Sequence, residues 1–112
     1  MTAAAGLLNA PNDERSWDRW SFDLQAQVNE INQAILAQKK VTLPQVQLYP
    51  APLFDIPNWL TRLQAAMGGI TGTLGIQNVD VESVDVSQES ARSAWAWSIY
   101  QEVYAARAAL KI

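Results

Sequence analysis

The sequence predicts a mainly α fold, with three helices in an antiparallel arrangement and a Pro-rich extended strap between helices 1 and 2. Three observations carry this reading. Two long stretches, near residues 13–38 and 87–112, repeat apolar residues at three- and four-residue spacing. A shorter stretch between them repeats the same spacing although glycines interrupt it. The one segment without that period collects Pro44, Pro50 and Pro52, each of which lacks the backbone donor that a helix or a central strand needs.

Taken in order, residues 1–11 are small and end in Asn9-Ala10-Pro11, which reads as a flexible N-terminal arm ahead of a single helical domain over 12–112. Asn12-Asp13-Glu14 offers cap candidates and negative charge for a helix start. The first helix, about Asp13 to Gln38, places Trp17, Trp20, Leu24, Val28, Ile31 and Ile35 on one face and Asp18, Gln25, Asn29 and Gln33 opposite. Lys39 and Lys40 then complement the dipole at its C-terminal end. Val41 to Ile56 follows as the strap, with Val46 and Leu48 alternating against Gln45 and Gln47. A second helix starts near Asp55, with Pro57 in the first turn, where its missing N–H costs little. Its apolar face is Leu60, Leu63, Met67, Ile70 and Leu74, and Gly75 ends it as a left-handed C-cap. Residues 76–86 form a loop that is acidic at Asp80, Glu82 and Asp85. Either Ser87, or Asp85 with Gln88 three residues later, caps the last helix.

That last helix, Ser87 to Ile112, has two apolar stripes. Ala91, Trp95, Ile99, Val103, Ala106 and Leu110 form a core-facing one. Trp97, Tyr100, Tyr104 and Ala108 form another, turned well away from it. Trp95 and Trp97 lie about 200° apart on a helix, so one face cannot bury both. Trp97, Tyr100 and Tyr104 are therefore interface candidates. The strap supplies a second set in Val46, Leu48, Tyr49, Leu53 and Phe54, too many apolar side chains for a segment meant to sit in water. Two alternatives stand open for it: docking onto another protein, or folding back over its own helices as a lid. The Trp-rich starts of the first and last helices, Trp17 with Trp20-Ser21-Phe22 and Trp95 with Trp97-Ser98-Ile99, also suggest an old internal repeat.

Chemistry is excluded more firmly than it is suggested. The 112-residue chain has no Cys and no His, so disulfides, thiolate metal sites and the commonest neutral-pH base are all missing. Its formal charge is −3 and it has no basic run, which argues against nucleic acid. No apolar run approaches the ~20 residues of a membrane span, and the N-terminus lacks the basic start of a signal peptide. Gly68-Gly69-Ile70-Thr71-Gly72-Thr73-Leu74-Gly75 has neither the lysine nor the preceding strand of a phosphate loop. The glycines instead fit a close helix approach or a kink. Asp80, Glu82, Asp85 and Glu89 lack the spacing of a calcium loop. No catalytic, cofactor-binding or metal residue is assigned, and the expectation is a non-enzyme that works through protein contacts.

Asn12-Asp13-Glu14-Arg15-Ser16-Trp17-Asp18-Arg19-Trp20-Ser21-Phe22 resembles the start of a family of small proteins encoded among the structural genes of tailed bacteriophages. Leu74-Gly75-Ile76-Gln77-Asn78 with the following Val79-Asp80, and Trp95-Ala96-Trp97, continue the resemblance in order, so that it spans about Asn12 to Leu110. It implies a virion or tail-associated structural protein, made in the host cytoplasm, in the head–tail connector, the tail or the fibre-attachment region. With the surplus aromatic face of the last helix, the expectation is a homo-oligomer, many copies in a symmetric ring or cluster, in contact with other virion proteins. The alternative is a non-virion regulatory or assembly protein that binds a single partner. Members of the family often carry His at positions that here are Leu24, Val28, Leu63, Met67 and Val103, so no His-dependent role passes to this chain.

Overall fold

The computed structural model describes residues 14–50, 56–79, 85 and 88–112. The expected mainly α, three-helix fold is what it shows: α1 (Glu14–Lys39), α2 (Ile56–Leu74) and α3 (Glu89–Leu110). Among the described residues there is no strand. The expected N-terminal arm, and Leu53 and Phe54 of the strap, lie outside the described residues.

The apolar period settles which faces are buried. All six stripe residues expected for α1 are in the core, as are Leu63, Met67 and Ile70 of α2 and Trp95, Ile99, Val103, Ala106 and Leu110 of α3. Leu24, Val28, Leu63, Met67 and Val103 are all at most 1% exposed. They are packing positions here.

The direction of the helices differs from the expected antiparallel arrangement. Trp17 and Trp20 of α1, Trp59 of α2 and Trp95 of α3 each fall in the first two turns of their own helix, and their rings meet. Centroid separations run from 4.8 Å for Trp17–Trp59 to 6.0 Å for Trp17–Trp95. Further along, Arg107 of α3 bonds to Gln27 and Glu30 of α1. At the far end Gln38 Nε2 donates to the Leu110 carbonyl at 2.7 Å. All three helices therefore start at one end of the molecule and run the same way.

Parallel neighbours need long return connections, and the strap is the first of them. Its described part, residues 40–50, runs back between α1 and α2 without helix or strand. Leu43 lies over Gly69, with side-chain atoms 3.7 and 3.8 Å from where a Cβ would stand. Gln25 of α1 then receives the strap. Its Oε1 accepts from the Leu48 N–H at 2.6 Å, and its Nε2 donates to the Val46 carbonyl at 3.2 Å. The Leu48 carbonyl accepts from Trp59 Nε1 at 2.9 Å. Leu48 itself is fully buried and Val46 packs on the core. The side chain pointing inward and the backbone pairing are one arrangement, because Leu48 can enter the core only if its flanking polar groups are satisfied.

The helix ends follow known chemistry with two substitutions of residue type. Gly75, at φ +69°, ends α2, and Ile76 N–H reaches back to the Thr71 carbonyl at 2.9 Å, the wide bond of a Schellman motif. Lys40 and Lys111 play the glycine's part for α1 and α3, at φ 59° and 60°. The N-cap of α3 is Gln88, which makes no side-chain cap bond; Ser87 lies outside the described residues. Among the described residues, Gly68 and Gly72 meet nothing within 4 Å, so neither α1 nor α3 exploits them, and what lies against Gly69 is Leu43. The suggested repeat is not kept in burial: Trp20 is buried where Trp97 is exposed, and Phe22 is exposed where Ile99 is buried.

Candidate docking surface

The functional candidates divide between the two faces of α3 and the strap. On α3, Trp95 is 1% exposed and Trp97 is 52% exposed, as their separation around the helix requires. Tyr104 is 51% exposed and Tyr100 is half-buried against the core. The three rings form a ladder: Trp97 stacks on Tyr100 at 5.5 Å and 24°, and Tyr100 on Tyr104 at 6.3 Å and 27°. Stacking at successive turns removes rotamer freedom before any partner arrives, so the face is ordered in advance.

The charges of α3 are kept off this face. Glu102 and Arg107 are 5% exposed and point to the interior. Arg107 Nη1 pairs with Glu30 Oε1 at 3.0 Å and donates to Gln27 Oε1 at 3.2 Å, which anchors α3 to α1. Glu102 Oε1 accepts from Asn78 Nδ2 at 3.2 Å and Oε2 from the Val79 N–H at 3.3 Å. Asn78 Nδ2 also donates to Thr71 Oγ1, and Gln64 Nε2 donates to Asn78 Oδ1. Burial pushes the Glu102 carboxyl up to about 7, with the Val79 N–H pulling the other way. An open cleft of about 540 Å³ lies beside it, between residues 76–79 and α3. Asn78 and Glu102 bond to one another there, so the network holds residues 76–79 against α3. Between Ser93 and Ala109, no exposed residue of α3 carries a charge.

The strap candidates part company. Leu48 belongs to the chain's own core, and Val46 packs against it, so these two are lid residues. Tyr49 is 37% exposed and meets Phe22 edge-on at 5.2 Å. Phe22 and Leu36, both about half exposed, were not legible as surface candidates because they fall off the α1 stripe without forming a stripe of their own. Trp59 was missed as a core residue, although its four-residue spacing to Leu63 was the available signal.

Among the described residues no group of three or more metal-binding side chains comes together, and no helix is long and apolar enough to cross a membrane. What the described residues present is an exposed pair of aromatic rings, Trp97 and Tyr104, on an uncharged helix face. No protein-family model, no curated protein and no solved structure matches this chain.

Proposed function

We propose that this chain is a structural subunit of a tailed-bacteriophage virion that works by protein–protein docking, in the head–tail connector, the tail or the fibre-attachment region. The observation that carries the docking is the ladder of Trp97, Tyr100 and Tyr104 on an uncharged helix face. Rings of this kind, backed by a rigid core, are the side chains that dominate binding energy at interface centres. The virion placement rests on the sequence resemblance carried by Asn12–Phe22, Leu74–Asp80 and Trp95–Trp97. The role needs no catalytic step and no cofactor.

Quantitative mass spectrometry of purified particles tests it. The expected result is this chain at a fixed copy number per particle, with Trp97→Glu incorporated about ten-fold less while remaining folded in the infected cell. Presence in the lysate but not in the particle would replace the virion role with that of an assembly or regulatory protein bound to one partner.

A further inference from the structure

We infer that the exposed face of α3 docks on the same face of a second copy, with the two helices antiparallel about a two-fold axis between Gln101 and Tyr104. The inference rests on the docking reading above and names the partner. Its starting point is the spacing of the exposed residues. Ala94, Trp97, Gln101, Tyr104 and Ala108 alternate three and four apart, which is the seam of a two-helix coiled coil, and an exposed Lys111 follows just past the helix. Large and small residues are distributed along that seam so that they match when one copy is reversed. Antiparallel pairing sets Trp97 against Ala108 of the second copy, Tyr104 against its Gln101, and Lys111 against its Ala94. Parallel pairing would set Trp97 on Trp97 and leave Ala94 facing Ala94, a bulge beside a gap.

Charge selects the same direction. The middle of the face has no exposed charge, so two copies meet there without desolvating an ion. The face finishes on an exposed Lys111. Parallel pairing would bring Lys111 to Lys111, whereas antiparallel pairing sets each Lys111 against the uncharged Ala94 of the other copy, twice by symmetry. The face is therefore complementary to its own reverse in size, and the reversal keeps its like charges apart.

The absence of cysteine makes the test clean. Ala94→Cys and Ala108→Cys are prepared separately in the full chain. Each is treated alone, and then mixed with the other, with a short bis-maleimide crosslinker. Antiparallel pairing leaves 94 and 108 of the second copy about 4.5 Å apart along the axis, at 1.5 Å of rise per residue. The same geometry holds 108 about 16 Å from its own counterpart and 94 about 25 Å from its own. The expected product is the mixed dimer, with little dimer from either variant alone. Dimers from each variant alone, and none enriched on mixing, would overturn the antiparallel arrangement.

Sedimentation equilibrium completes the test. Trp97→Ala should raise the dimer dissociation constant about 30-fold. Lys111→Ala should change the dissociation constant by less than about two-fold in dilute buffer; marked tightening there, lost in strong salt, would reveal a relieved Lys111–Lys111 repulsion and overturn the antiparallel direction. A wild-type chain that stays monomeric at high micromolar concentration overturns the self-pairing. If Trp97→Glu is then still lost from particles, docking stands with a different protein as occupant; if it is incorporated normally, the docking reading falls with it.

Discussion

Gln25 shows how much of this fold turns on one amide. Each of its two polar atoms is used on the strap: Oε1 takes the Leu48 N–H, and Nε2 serves the Val46 carbonyl and Asn29 Oδ1. A Gln on the polar side of a helix looks like a solvated residue, and nothing in its spacing marks it as a clamp. Removing it leaves a part-buried backbone donor without its partner, which costs about 1–3 kcal/mol. Gln25→Ala should therefore lower stability by that amount in urea unfolding and speed hydrogen exchange at the Leu48 amide. Unchanged exchange at Leu48 would mean that its buried side chain alone holds the strap.

Among the elements, α2 has the most stability in reserve. Gly68 and Gly72 stand inside the helix, and among the described residues nothing fills the space where a Cβ would go. Gly68→Ala and Gly72→Ala should each stabilise the protein by about 0.5–1 kcal/mol, read as a higher thermal midpoint. A fall in the midpoint would show that something occupies that space. The link between α3 and residues 76–79 works in the other direction. Glu102, raised from 4.5 to about 7 by burial, suits the fold when protonated. Its ionisation cost is absent below about pH 4.5, grows as pH rises, and is complete above about pH 7. Glu102→Gln gives up one of the two accepted bonds at every pH, but it should remove the pH dependence, so its stability relative to the parent should rise between about pH 4.5 and pH 7. A stability difference that does not change with pH would show that the carboxyl keeps its ordinary acidity.

For the whole molecule, the four-indole cluster is the feature that unites all three helices. Trp95→Ala opens a cavity among Trp17, Trp20 and Trp59 and should cost about 3–5 kcal/mol. Trp97→Ala removes a half-exposed ring and should change monomer stability by no more than about 0.5 kcal/mol. Denaturation of the two variants side by side checks both values, and equal losses would place Trp97 in the core. The sequence already separated these two residues, because two positions along a helix cannot share a face. It also told α1's stripe correctly, since a period of 3.6 depends on the chain alone. What it could not tell was direction. Antiparallel packing is the usual consequence of short connections, whereas Lys40 to Asp55 and Gly75 to Gln88 are both long enough to return the length of a helix, at ~3.3 Å per extended residue. Nor could it tell that Leu48 fills the protein's own interior, because an alternating apolar segment fits a foreign groove as well as its own.

The common direction of the three helices has an electrical consequence. Each helix carries about half a positive charge at its start and half a negative charge at its finish, and with every start at one end these contributions add. An up-and-down bundle of three would cancel two of them. Lys39, Lys40 and Lys111 lie at the finishing end, where they face that sum. The aligned backbones give the molecule a polar axis, a head distinct from its tail. Copies ranged side by side and pointing one way reinforce that axis and repel. Two copies reversed about a dyad are the smallest group in which it vanishes.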